Sequence, residues 1–176
     1  MTSVDVTVRV DGASRGNPGP SGAGAVIEFG DGREPKELCA FLGETTNNVA
    51  EYRALLLALL AEGESRIDAA GDGEDVRSTA GVVSALGASV ERVAVHAGRV
   101  HYRVLSPGGD ALAEPEGPLD CGNSGTTTRL VAGLLAGRPL FAVLDGDASL
   151  RRRPMGRVVE PLRAMGATFA GRGGGK

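Results

Sequence analysis

The stretch from Thr45 to Leu60, TTNNVAEYRALLLALL, constrains the fold more than any other part of the chain. Thr45 or Thr46 can cap a helix here, because a side-chain oxygen just before the first turn accepts one of the unpaired amide protons. The helix is expected over 46–62. Its leucines and alanines cover most of the circumference, so it has no wide polar face to turn to water. It must be covered on several sides, and the rest of the chain has to supply that cover.

Upstream, residues 4–11 alternate strictly. Val4, Val6, Val8 and Val10 face one way and Asp5, Thr7 and Arg9 the other, which is the pattern of a half-buried strand ending at Asp11. A loop rich in Gly, Pro, Asn and Ser follows, then GAVIEFG and KELCAFLGE as two further strands. Short connections make the three an antiparallel meander. Downstream, Ser65–Ala69 reads as a short strand and Glu74–Leu86 as an amphipathic helix stopped by Gly87. Val90–His96 and Arg99–Leu105 flank Ala97-Gly98 as a hairpin. Asn123–Ala136 is a helix opening with small and hydroxyl residues, Leu140–Leu144 a strand, and Arg157–Met165 a helix stopped by Gly166.

Aromatics make up 3% of the chain, so Val, Leu and Ala must build the core. The net charge of −3 argues against a bulk electrostatic footprint for nucleic acid. Residues 1–62 hold 5 basic and 9 acidic groups, net −4, whereas residues 63–176 hold 14 and 13, net +1. The first balance suits carboxylates around a metal, and the second suits an anion site. Cys39 and Cys121 form neither a metal spacing nor a disulfide framework, and no apolar run approaches 18 residues. A cytoplasmic, reducing compartment is therefore expected. His96 and His101 are expected to be surface or half-buried strand residues, and Met155 and Met165 to pack their helices. The GxG groupings lack the strand–turn–helix context of a dinucleotide fingerprint.

Two constellations carry chemistry. In the first, Asp11 at a strand end faces Glu51 in the opening turns of the buried helix. Two carboxylates on a rigid frame suit Mg²⁺, which takes oxygen ligands and can activate water for phosphoryl transfer. Asn17 and Asn47 or Asn48 can bond sugar hydroxyls. A solvated surface with an Asx turn would present the same residues. The wording VDGASRGNPGPSGAGAV followed by TTNNVAEYRALLLAL resembles ribonuclease H over residues 4–61. That resemblance implies an RNA–DNA hybrid as substrate, Mg²⁺ as cofactor, and Asp11 and Glu51 as its ligands. The family's third aspartate, within a D-S-x-x-V run, is not matched. Asp72 and Asp75 stand at about that distance within GDGEDVRSTAG.

In the second constellation, Ser124, Gly125 and Thr126 open a helix whose N-terminus offers free amide protons and a positive dipole end. Arg151, Arg152 and Arg153 follow on a polar loop and can clamp an anion with forked bonds. An ordinary Ser/Thr cap and a solvated turn would look alike. RALLLALLAEGESRI, GEDVRSTAGVVSALGASV, LDCGNSGTTTRLVAGLLAG and GDASLRRRPMGRVVEPLRAMGA resemble 5-enolpyruvylshikimate-3-phosphate (EPSP) synthase, in order, from about Arg53 onward. The resemblance implies phosphoenolpyruvate and shikimate 3-phosphate as substrates. It places Arg53 on the shikimate phosphate side, Gly125 and Thr126 in the phosphoenolpyruvate pocket, and Arg153 on its carboxylate or phosphate. Arg129 is read as a structural support. The family's opening K-S-x-S-x-R is replaced: Asn48, Val49 and Glu51 stand where Lys and both serines belong, and only Arg53 is kept.

The expected fold is α/β: a ribonuclease H-like meander plus helix over 1–62, then a partial βαβαββ repeat of the enolpyruvyl transferase type over 53–176, sharing a seam helix at 46–62. The first functional expectation is a fusion of two incomplete parts, an EPSP synthase-like segment and a ribonuclease H-like one, without the full activity of either. The others are a Mg²⁺-dependent nuclease acting on RNA–DNA hybrids and a non-enzymatic anion-binding module. Exposed sheet edges are expected to favour self-association.

Overall fold

A computed structural model describes residues 6–14, 19–34, 36–45, 48–96 and 99–171. The N-terminal strands β1 (Val6–Ser14), β2 (Gly19–Phe29) and β3 (Lys36–Thr45) form the expected antiparallel meander in the order β1-β2-β3. Asp11 lies within β1, opposite Gly24, rather than at its end.

Helix α1 (Asn48–Leu60) follows, somewhat shorter than 46–62. Of the two expected caps, Thr45 closes β3 and Thr46 lies outside the described residues. Tyr52, Ala54, Leu55, Leu56, Ala58 and Leu59 are all buried. They are buried because α1 packs on β1, β4 and β6 on one side and meets α2 and α3 on the other. Burial of each leucine is worth about 1.5–3 kcal/mol, so among the described residues this helix contributes heavily to the core.

Strand β4 (Gly63–Gly71) is longer than expected, and helix α2 (Glu74–Ala85) ends at Leu86 with Gly87 at φ 103°. Strands β5 (Ser89–His96) and β6 (Arg99–Ser106) form the hairpin. The second sheet has the order β4-β6-β5, with both pairings antiparallel. The return strand β6 is thus inserted between β4 and β5, which α2 connects. The alternation of β6 buries Val100, Tyr102, Val104 and Ser106 and exposes the residues between them, apart from half-buried His101. The two sheets meet where β1 runs beside β4, although their ladders stay separate among the described residues.

The last layer contains β7 (Leu119–Asp120), α3 (Gly125–Ala136), β8 (Leu144–Asp145) and α4 (Gly156–Ala164). β7 and β8 pair in parallel. The strand expected over 140–144 shrinks to its last residue plus Asp145, because β7 offers only two residues to pair with. Phe141 and Val143 consequently remain exposed. Gly166, at φ 102°, ends the α4 region as expected, whereas Met165 is 82% exposed and does not pack. Among the described residues no helix is long and apolar enough to cross a membrane.

Candidate functional site

Both loops that leave the parallel pair β7–β8 run to the same place. A ligand crevice in parallel α/β structure lies beyond the carboxyl ends of the strands, where such loops converge with helix N-termini. After β7 the chain turns through Cys121–Ser124. Asp120 Oδ1 accepts the Gly122 amide at 2.8 Å, and the Ser124 amide donates to Cys121 O at 2.9 Å. Ser124 then caps α3, its hydroxyl accepting the Thr127 amide at 3.2 Å. After β8 the second loop is tied to the first: the Asp147 amide donates to Gly122 O at 2.9 Å, and Gly146 sits so close to that carbonyl that no side chain would fit there. Asp147 Oδ1 accepts the Leu150 amide at 2.7 Å, and Asp145 holds Arg151 through two bonds of 2.8 and 2.7 Å. Arg151 is therefore an internal brace of this loop, and Arg153 is left to point elsewhere.

Arg153 points to Gly125. A methyl group placed on Gly125 would lie 2.9 Å from Arg153 Nη1 and 3.1 Å from Arg129 Nη1. Two guanidinium groups and the start of a twelve-residue helix thus converge on one spot. Among the described residues neither arginine has a carboxylate partner, and Arg129 Nε is buried without any hydrogen-bond partner. Three sources of positive potential left uncompensated make this spot the candidate for a small anion. Thr126 is half-buried one residue further on. Arg129, read from sequence as a support, belongs to this constellation. The signal was present in its i+4 spacing from Gly125, which places it one turn along the same face. A cavity of about 520 Å³ adjoins the site, lined by Thr128, Leu135, Phe141, Leu150, Arg153 and Phe169 among others.

The first constellation is placed differently. Glu51 Oε1 accepts the Gly71 amide at 2.6 Å at the end of β4, while its Oε2 is buried with no partner. Asp72 follows directly but is occupied. It takes Arg77 Nε and Arg92 Nη2, each at 2.9 Å, and the bond to Arg77 holds its carboxyl below the usual aspartate range. Asp75 Oδ2 accepts the Tyr52 hydroxyl at 2.6 Å. Among the described residues no group of three or more metal-binding side chains comes together. Asn17 and Asn47 lie outside the described residues, as do the side chains of Asp11 and Asn48. Arg53 is exposed on α1, whereas Glu51, two positions earlier, is half-buried. About 200° of helix separates them, so one helix does not aim both at one ligand. His101 pairs with Asp68 at 2.9 Å on the sheet surface.

Comparison with known proteins divides the chain in the same way. The family model of EPSP synthase (3-phosphoshikimate 1-carboxyvinyltransferase) matches residues 49–176, and that of RNase H matches residues 3–86. The two overlap over 49–86, which contains α1 except its first residue, together with β4 and α2. The 3-phosphoshikimate 1-carboxyvinyltransferase of Acidiphilium cryptum is 53% identical over 125 residues, covering 71% of this chain and 27% of its own. That of Parvibaculum lavamentivorans is 50% identical over 140 residues, covering 78% and 30%. The solved EPSP synthase from Acinetobacter baumannii aligns with a TM-score of 0.60 at 34% identity, over 72% of this chain and 28% of that one. The chain spans less than a third of the length of the curated relatives it matches.

Proposed function

We propose that this chain, which belongs to the EPSP synthase family and carries an RNase H-like region ahead of that segment, acts as an anion-binding fragment of the enolpyruvyl transferase fold. The two parts share α1: residues 1–62 form the ribonuclease H-like part and 53–176 the synthase-like part. The ligand is a phosphate- or carboxylate-bearing molecule of the phosphoenolpyruvate kind, seated on the amides of Gly125 and Thr126 between Arg129 and Arg153. The carrying observation is the convergence of two unpaired guanidiniums on Gly125. Arg153 supplies the exposed, movable arm of the clamp, and Arg129 the fixed one.

Turnover is not expected from these residues. The position that would carry a cationic Lys is Asn48, and Glu51 brings a negative charge to the same helix turn. Arg53, expected on the shikimate phosphate side, is exposed on α1 without an ion-pair partner among the described residues. Titration with phosphoenolpyruvate, together with an assay for transfer to shikimate 3-phosphate, tests the reading. Saturable binding with no transfer is the expected result; transfer at an ordinary enzymatic rate would overturn it.

A second reading rests on Glu51. Its buried, unpartnered Oε2 is the kind of atom a divalent cation would satisfy, so Mg²⁺ held by Glu51 and Asp11 with a ribonuclease H-type hydrolysis of an RNA–DNA hybrid is the alternative. The described residues fit such a site poorly. Asp72 is neutralised by two arginines and Asp75 is bonded to Tyr52, which leaves neither free to complete the ligand set. Mg²⁺-dependent hybrid cleavage abolished by Glu51→Gln would favour this reading over the first.

A further inference from the structure

The cavity of about 520 Å³ beside the anion site is walled on one side by α3. Thr128, Ala132, Leu135 and Ala136 line it, at i, i+4, i+7 and i+8, which is one face of a helix. Gly125 stands three residues before Thr128 and so heads the same face. Roughly 10 Å of helix separates Gly125 from Ala132. Arg153 joins the two places: it lines the cavity, and its Nη1 lies 2.9 Å from where a methyl group on Gly125 would be. A group held at Gly125 therefore has the apolar face of α3 running away from it along the cavity wall.

The lining defines what the cavity can take. Leu150, Val159, Phe141 and Phe169 add further hydrocarbon to it. Its polar side chains are mostly committed. The Thr128 hydroxyl donates to Ser124 O at 2.9 Å, and Asp145 and Arg151 neutralise each other through two bonds of 2.8 and 2.7 Å. Among the described residues Arg153 and Arg163 have no carboxylate partner, although Arg163 Nη2 donates to Phe169 O at 2.6 Å. The lining is thus hydrocarbon with two positive charges left over. A polyhydroxylated ligand would give up its bonds to water and find few replacements here, whereas an apolar body with an anionic end is matched at both ends. Sites for organic ligands occupy roughly 300–1,000 Å³, and this cavity falls within that range, with far more room than an inorganic phosphate or a small keto acid fills.

We infer that the anion site takes amphipathic anions: the phosphate or carboxylate sits on Arg129, Arg153 and the first amides of α3, and an aromatic or branched aliphatic body lies along α3 in the cavity. The inference rests on the anion-binding reading above and names the ligand class of that site, aryl and alkyl phosphates or acids in preference to sugar or polyol phosphates.

The experiment is calorimetric titration of the full chain with inorganic phosphate, glycerol phosphate and naphthyl phosphate, at one alkaline pH at which all three are dianions. The naphthyl group should tighten binding roughly tenfold over inorganic phosphate, the modest gain per added atom that apolar contacts leave once ordering costs are counted. Glycerol phosphate should bind no more tightly than inorganic phosphate. Two variants fill the cavity from α3. In Ala132→Leu the new side chain leans back toward the turn of Thr128, because helical side chains point toward the N-terminus. Ala136→Phe does the same from the next turn and starts from a half-buried position. Each should remove the naphthyl gain and leave the affinity for inorganic phosphate where it was. Arg153→Ala should weaken binding of all three.

A naphthyl gain that disappears in the filled variants supports the inference. Naphthyl phosphate bound no more tightly than inorganic phosphate overturns it, as does an equal gain with glycerol phosphate or a naphthyl gain that survives in a folded, filled variant. Should a thermal melt show that Ala132→Leu does not fold, Ala136→Phe decides on the same terms. Inorganic phosphate that binds and is lost in Arg153→Ala, with no naphthyl gain, overturns the ligand class alone. If none of the three binds, or all bind equally without Arg153, the anion-binding reading falls with it.

Discussion

Leu59→Ala tests whether α1 joins the two parts into one cooperative unit. Leu59 is 0% exposed in a helix that packs on β1, β4 and β6 and meets α2 and α3. Truncating it removes three carbons from a site walled on several sides by separate elements, which cannot all collapse into the gap. Leu-to-Ala changes in such places cost about 2–5 kcal/mol, rising with the cavity left behind. We take about 3 kcal/mol here, because Ala54 and Ala58 on the same helix are small and give neighbours some room to relax. For a chain of this size that corresponds to a fall in Tm of about 6–12 °C. The assay is urea unfolding followed by far-UV circular dichroism, with a thermal melt alongside. Because the helix serves both parts, the whole transition should move to lower denaturant with an unchanged slope. A loss below about 1 kcal/mol, or two transitions of which only one moves, would refute the shared-helix account.

Tyr52→Phe removes the bond to Asp75 Oδ2 and should cost about 1.5–3 kcal/mol in denaturant unfolding, as expected for a hydrogen bond to a charged acceptor. Acid titration should expose the pairing of Asp72: with Arg77 holding its folded pKa below the unfolded value, this contribution is present above about pH 4 and is lost as pH falls through the folded value. In Arg77→Met part of that low-pH loss should vanish from the difference between stability at neutral pH and stability near pH 3. A difference curve unchanged from wild type would show that the pair contributes nothing. Val93, 57% exposed on the outer strand β5, should promote association; Val93→Lys should lower the apparent mass in concentrated solution by light scattering, while an unchanged mass would exclude this edge.

The parts of the fold legible from sequence were those with a local period. Val6, Val8 and Val10, and Val100, Tyr102 and Val104, announce their strands by alternation, and Gly87 and Gly166 mark helix ends because only glycine takes positive φ cheaply. The 140–144 run misled because strand propensity does not supply a partner; the short β7 pairs only with Leu144 and Asp145, and a single bond from the Leu119 amide to Val143 O, at 2.8 Å, extends the contact further back. The candidate anion site was half legible. Ser124, Gly125 and Arg153 stand in a recognisable order, but the turning of Arg153 rather than Arg151 toward Gly125 depends on Asp145 holding Arg151. The commitment of Asp72 to Arg77 and Arg92, and the Thr79–Thr127 contact, depend on helix and sheet packing across long sequence separations, which no local pattern carries.

The central claim is that Arg129 and Arg153 hold an anion at the start of α3. Amide chemical shifts of Gly125 and Thr126, followed by NMR during titration with inorganic phosphate, test it at the residues concerned. The account predicts saturable shifts at these two amides in wild type, and their loss in an Arg153→Ala variant that keeps the wild-type spectrum elsewhere. Amides that do not respond to phosphate, or that respond equally without Arg153, would contradict it.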